Sequence, residues 1–202
     1  MKKRLLLLLC VASVFMLTSC ASTYSVDRVS KDTIIDLSGN WNDTDINIVT
    51  SSLIDSCLSS AWINRYQMNN KGNIPTIIVG TIKNKSSEHI DTTIISKKIE
   101  LALVKSGKAA TVADFGNKDE LRAEKLDQQY NSSVETAAEL GEEFGADFIL
   151  QGSVKTNIDS IGGKTVRTYY VDLELIDIQS SQKVWLDEDT VKKLIKQSKY
   201  SY

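Results

Sequence analysis

Cys20 carries the most specific chemistry in this chain, because of what precedes it. Met1-Lys2-Lys3-Arg4 is a basic start, residues 5–17 are largely apolar yet too few to span a bilayer comfortably, and Thr18-Ser19 are the small residues of a processing site. A thiolate placed directly after such a pair can accept a diacylglyceryl group and become the new N-terminus. The expectation is a lipidated Cys20 and a signal peptide over residues 1–19. Polar Ser22, Thr23 and Ser25 follow at once and no stop-transfer pattern does, which argues against a plain membrane-spanning helix. One acyl chain holds a protein only marginally, at about 0.8 kcal/mol per buried methylene, whereas two or three on one cysteine make attachment effectively permanent. The chain is therefore expected to be anchored to a membrane by lipid and not to cross it.

The remaining reactive residue types form no constellation. His89 is the single histidine, so a hydrolase triad or a metal site would have to be built around it. Ser86, Ser87 and Glu88 are its sequence neighbours, which reads as a polar surface loop and not as groups converging from separate elements. With one histidine and one cysteine left after processing, no His/Cys cluster for metal is expected, and Asp43 and Asp45 read as helix-capping residues. Glu142 and Glu143 read as a solvated helix face. Gly162 and Gly163 fall between two strands, and no strand-to-helix step carries a phosphate-cradling glycine motif. No enzyme activity, cofactor or small-molecule substrate is expected.

Charge narrows the partners. Loss of residues 1–19 removes Lys2, Lys3 and Arg4, leaving 21 of the 24 basic residues against 26 acidic ones, a formal charge of −5. An acidic chain with no Lys/Arg cluster lacks the phosphate-neutralising surface on which nucleic-acid binding rests. Cys10 leaves with the signal and Cys20 is taken by lipid, so Cys57 stands alone and no intramolecular disulfide is expected. Cys57 lies on the apolar side of an expected helix, where a buried, inert thiol is the natural reading.

The elements that position these residues follow from periodicity. Residues 20–36 read as a lipidated N-terminus and flexible tether, and 37–202 as one globular domain. The ~16 residues of tether reach at most about 55 Å stretched, or roughly 20–25 Å as a coil. Asn42 to Thr44 offer caps for a helix whose stripe is Ile46, Val49, Leu53, Ile54, Cys57 and Leu58, ending near residue 60. Residues 74–82, β-branched almost throughout, predict a buried strand, and 83–90 a polar loop. Asp91 is expected to cap a second helix with Ile94, Ile95, Ile99, Ala102 and Leu103 facing the core, stopped by Gly107. A short strand over 109–115, a solvated helix over 117–129 and a helix over 134–144 follow, and residues 146–154 start a strand. Gly162-Gly163 then turns into a strand in which Tyr169, Val171, Leu173 and Leu175 alternate with Tyr170, Asp172 and Glu174. A last short strand spans 183–186, with a basic helix or tail after it. Helices between early strands and a hairpin among late ones predict an α/β (α+β) fold, a mixed β-sheet flanked by helices.

What is left is a binding surface. Lys83, Asn84, Lys85, Ser86, Ser87, Glu88 and His89 form the most distinctive polar loop, the kind of segment where interactions concentrate on a rigid scaffold. Trp41, Trp62, Tyr66 and Trp185 are the large aromatics able to anchor a partner. The last three read as core or core edge; for Trp41, beside the tether, both readings stand.

Leu37-Ser38-Gly39-Asn40-Trp41-Asn42-Asp43-Thr44-Asp45, the run from Ile77-Ile78-Val79-Gly80-Thr81-Ile82 through Lys83-Asn84-Lys85-Ser86-Ser87-Glu88-His89-Ile90, the segment Leu140-Gly141-Glu142-Glu143-Phe144-Gly145-Ala146-Asp147-Phe148-Ile149-Leu150-Gln151-Gly152 and the pair Val184-Trp185 together resemble the penicillin-binding protein activator family typified by LpoB. The likeness covers about residues 37–187 plus the lipidated cysteine. It implies a mixed sheet with helices on its faces, like the N-terminal domain of TolB. It also implies a non-enzymatic outer-membrane lipoprotein that binds a bifunctional class A penicillin-binding protein and stimulates peptidoglycan synthesis. The tether here is shorter than in the best-known members. Ala21 stands where an inner-membrane retention Asp would be in enteric bacteria, which favours the outer membrane. The competing reading is a component of an envelope assembly or curli-type secretion complex, for which only the hairpin at Gly162-Gly163 could supply spanning strands. An envelope hydrolase built on His89 is the third.

Overall fold

The computed structural model describes residues 24–31, 33–112 and 145–196. The chain divides into two units, residues 1–33 and 34–202. In the first, the described residues are exposed and without regular structure, with one turn closed by Thr33 N donating to the Ser30 carbonyl at 3.0 Å.

The second unit is built on a five-stranded mixed sheet. Its elements are α1 (Asp43–Ser59), α2 (Ala61–Asn69), β1 (Thr76–Lys85), α3 (Thr93–Ser106), β2 (Ala110–Thr111), β3 (Phe148–Ile161), β4 (Lys164–Asp177) and β5 (Lys183–Lys196). Strand order is β2-β1-β3-β4-β5, with β1 parallel to both β2 and β3 and the last three strands antiparallel. The expected α+β architecture is the one present.

α1 starts as its sequence dictates. Asn42 is the cap residue: its side chain accepts from Asp45 N, while Asp45 Oδ2 accepts from Asn42 N at 2.9 Å, closing a reciprocal capping box. Val49, Leu53, Ile54 and Cys57 then fall on one buried face. Across from them lie Ile77, Leu150, Val154, Tyr169, Val171, Leu173 and Leu175, and Ile95, Ile99 and Leu103 of α3 complete a single cluster. Each fully buried aliphatic side chain of this size contributes about 1.5–3 kcal/mol. Among the described residues Cys57 is a free, buried cysteine, so this core stands without a crosslink from it.

Two glycine positions shape the sheet. Gly162 and Gly163, at φ 56° and 78°, form the two-residue turn between β3 and β4, a conformation that hairpin turns need and side chains resist. At Gly152 a Cβ would run into the carbonyl oxygen of Asp172 on the neighbouring strand, so only glycine lets β3 and β4 approach there.

Several expectations need correction. β1 begins at Thr76 and continues through Lys85, so Lys83, Asn84 and Lys85 are strand residues and the loop proper starts at Ser86. The strand's last residues are polar because they leave the core, Lys83 half-buried and Asn84 and Lys85 exposed, so the burial rule that marks central strands no longer applies to them. Asp91 caps α3 from one position further out than expected: the cap residue is Thr92, and Asp91 Oδ1 accepts from Thr93 N at 3.0 Å and Thr93 Oγ1 at 2.5 Å. Ile94 is 45% exposed and points away from the core that Ile95, Ile99 and Leu103 enter. Trp62 and Tyr66 belong to a separate helix, α2, whose two and a half turns are too few to show a period. β2 comprises only Ala110 and Thr111, and the remainder of the 109–115 expectation beyond Val112 lies outside the described residues. So do the helices expected over 117–129 and 134–144, with Glu142 and Glu143. The strand expected to start at Ala146 begins at Phe148 and runs to Ile161. After Leu186, as far as Lys196, the expected helix or tail is instead strand, β5 continuing along β4, and the expectation beyond Lys196 lies outside the described residues.

Candidate functional site

The polar loop is held in shape from within. Asn84 Oδ1 accepts from Ser86 N at 3.0 Å and Ser86 Oγ at 2.6 Å, while Asn84 Nδ2 donates to the Glu88 carbonyl at 2.8 Å and to that of Ile90 at 3.5 Å. Ser86 Oγ also donates to the Glu88 carbonyl and accepts from Glu88 N. Ile90, 7% exposed, pins the far end in the core.

Glu88 turns its carboxylate inward. Oε1 accepts from Tyr169 OH at 2.6 Å and meets Arg167 Nη1 at 2.8 Å; Oε2 accepts from Trp41 N at 3.1 Å. The Arg167 guanidinium also reaches the Gly39 carbonyl and the side-chain oxygen of Asn40. The Trp41 ring packs on Tyr169 with centroids 5.2 Å apart. One carboxylate thus ties the loop, the entry segment 38–41 and the centre of β4 together. Burial, and secondarily the carboxylate of Glu88, hold the Tyr169 hydroxyl well above the usual tyrosine range. Among the described residues Arg167 Nε and Trp41 Nε1 are buried without a hydrogen-bond partner, and Glu88 supplies the cluster's main neutralising contact.

A second polar cluster roots the same entry segment. Lys193 Nζ lies 2.6 Å from Asp36 Oδ1, 2.7 Å from Asp45 Oδ2 and 2.9 Å from the Asn40 carbonyl. Asp45 is only 2% exposed. Burial lowers the Lys193 pKa, but hydrogen bonds to Asp36 and Asp45 outweigh it and the net shift is upward. Asp36 is correspondingly lowered, chiefly by Lys193 and Asn42. Asp45 is therefore both the expected capping residue and the buried end of an ion pair.

Of the seven loop residues singled out from sequence, the structure gives Asn84, Ser86 and Glu88 internal work and leaves Lys85, Ser87 and His89 exposed at the tip. Lys83 is half-buried. Lys85 lies in register with Lys155 of β3, whose ammonium meets Asp172 Oδ1 at 2.6 Å. Sequence reasoning marks Trp41 as a possible anchor and the run from Leu37 to Asp45 by resemblance, but no local pattern marks Arg167 or Lys193 as partners of that segment. His89 has no acid or nucleophile bonded to it among the contacts described. Trp62, Tyr66 and Phe148 form an edge-on aromatic stack with centroid distances of 5.1 and 5.5 Å. These residues, with Arg65, Asp147 and Asp177, line a cleft of about 550 Å³. Its carboxylates are engaged structurally: Asp147 Oδ2 accepts from Thr76 N at 2.7 Å, and Asp177 Oδ1 from Ser180 N and Oγ. Burial, then Asp147, push the Tyr66 hydroxyl up to about 12. Cys20 lies outside the described residues, as does everything else before Tyr24. Among the described residues no group of three or more His, Cys, Asp or Glu could hold a metal, and no helix is long and apolar enough to cross a membrane.

Fold and site together define a class: an α+β module that presents a braced polar loop at the end of a mixed sheet. The family model described as peptidoglycan-synthase activator LpoB matches residues 45–191, and the chain belongs to that family. The family is one of regulators, and its members are envelope lipoproteins. Among solved structures, the LpoB C-terminal domain from Salmonella enterica superposes with a TM-score of 0.52 at 16% identity, covering 74% of this chain and 99% of that one. The corresponding domain from Escherichia coli gives a TM-score of 0.50 at 16% identity with the same coverage. At these identities the likeness is one of fold. A sequence search of curated proteins returned no match.

Proposed function

We propose that this chain is a lipid-anchored, non-enzymatic activator that binds a bifunctional class A penicillin-binding protein and stimulates peptidoglycan synthesis. The observation that carries the reading is the match to the activator family over residues 45–191, which spans every described element of the domain except the last residues of β5 and the start of α1. Residues 1–19 act as the signal, Cys20 takes the lipid, residues 20–36 form the tether, and the domain from 37 faces the periplasm from the outer membrane. Activation needs no catalytic group on this chain. An effector shifts a synthase toward its active state only by binding that state more tightly than the inactive one. The exposed tip at Lys85, Ser87 and His89 is the contact, held rigid by Asn84, Ser86 and Glu88 so that little ordering entropy is lost on docking.

Detergent-extracted full chain, immobilised and exposed to the host's class A synthases one at a time, tests the binding step. Retention of at least one synthase, reduced about tenfold by Lys85→Glu, is expected. Failure to retain any of them would remove the proposal.

A further inference from the structure

β5 ends the sheet, and among the described residues no strand lies against its outer edge. At 14 residues it is a long open edge, of the kind proteins usually shorten, cover or pair. Its side chains alternate strictly. Trp185, Asp187 and Lys193 face the helical layer, where Asp187 accepts from Ser56 Oγ and Lys193 binds Asp45. Leu186, Glu188, Thr190, Lys192 and Leu194 form the exposed row, with the two leucines 59% and 57% exposed. Glu188 N and Thr190 N donate to the carboxylates of Asp187 at 2.8 Å and Asp189 at 2.7 Å. The even-numbered residues are therefore the ones whose backbone groups point out of the sheet.

That exposed row is its own complement: apolar, acidic, neutral, basic, apolar. In an antiparallel pair of β5 strands centred on Thr190, Leu186 opposes Leu194 of the second copy, Glu188 opposes its Lys192, and the two-fold axis repeats both pairs. All of these are even-numbered positions, so every pair falls where free N–H and C=O groups face each other. On the opposite face Asp187 meets Lys193 and Asp189 meets Val191, so no like charges oppose. Other registers lose this. A two-residue slip places Glu188 against Thr190 or Leu194; a four-residue slip places Glu188 on Glu188 or Lys192 on Lys192, as does in-register parallel pairing.

We propose that β5 is a self-association edge, pairing antiparallel with β5 of a second copy around Thr190 and joining two five-stranded sheets into one. In the lone chain Asp187 and Asp189 cap the open N–H groups and blunt the edge. On pairing, those N–H groups exchange a carboxylate acceptor for a carbonyl of the second copy, so no donor is left unsatisfied.

The test is the mass, by light scattering or sedimentation, of the full chain in detergent kept in excess of one micelle per chain. The wild type is expected to be a concentration-dependent dimer. E188K and K192E each replace two attractive pairs by two repulsive ones and should weaken dimerisation at least about tenfold. An equimolar mixture of the two variants should dimerise again, because the basic pair of one then faces the acidic pair of the other. A wild-type chain that is monomeric overturns the proposal. A dimer indifferent to both reversals, or variants that fail to rescue each other, overturns the Thr190-centred edge.

Discussion

Tyr169 donates its hydroxyl to Glu88 Oε1 at 2.6 Å, joining the polar loop to the middle of β4 across 81 positions of sequence. Because the same carboxylate holds Arg167 and the Trp41 amide, the loop that presents the candidate contact and the segment 38–41 that enters the domain are braced by one side chain.

Glu88→Ala should therefore destabilise the domain by about 2–3 kcal/mol, less than a fully buried pair would because Glu88 and Arg167 keep some solvent contact. Tyr169→Phe keeps the ring on Trp41 and should lose about 1 kcal/mol. In urea titrations the two losses should fall short of adding by about 1 kcal/mol, the signature of a shared contact. Additive losses would show that Glu88 and Tyr169 act separately.

Lys193→Met removes the cation from the nearly buried Asp45 carboxylate and, among the described residues, leaves it the Asn42 backbone N–H. A loss of about 2–4 kcal/mol is expected. Asp45→Asn in the same chain should recover part of it, since the neutral amide no longer needs the cation. Absence of that recovery in thermal melts would mean that Lys193 contributes through packing alone.

The pH dependence is asymmetric. Cys57 is pushed up to about 12 from an ordinary 9.0 by burial, Tyr66 to about 12 from 10.0, and Tyr169 and Lys193 are raised as well. A proton held more tightly by the folded chain stabilises it below the unfolded pKa, and that contribution drains away as pH rises toward the folded value. Unfolding free energy should hold steady from neutrality to pH 9 and decline between pH 9 and 12, the interval set by Cys57 and Tyr66. Asp36 and Asp91, both lowered, act in the opposite sense, their contribution being lost only as pH falls below 3.8. The same burial predicts that Ellman's reagent leaves Cys57 untouched in the native chain and titrates it in guanidinium; reaction without denaturant would contradict the packed position of α1.

How much of this was legible beforehand depended on where each element's partners lie. The stripe from Ile46 to Cys57, the Asn42 cap, the stop at Gly107 and the alternation at Tyr169 to Leu175 are local patterns, and each appears where expected. Periodicity marks only the start of β5 because its inward face mixes Asp187, Asp189 and Lys193 with the apolar Trp185, Val191 and Ile195. Charges can point inward there because Ser56, Asp36 and Asp45 wait for two of them, and those partners are 131 and 157 residues away for Asp187 and Lys193's bond to Asp36. The loop at 83–90 was found by its composition, but its division into braces and exposed tip required Arg167 and Tyr169 to be brought beside it. Nothing around Glu88 in the chain distinguishes it from Ser87 or His89.

The account rests most directly on a rate. Glycan-chain polymerisation by each class A synthase retained in the binding test should be followed with and without the detergent-extracted full chain, beside its Lys85→Glu variant. The prediction is a saturable acceleration by the wild type and a shift to higher concentration with the variant. A synthase rate unchanged at saturating binding would contradict the claim that this chain is an activator.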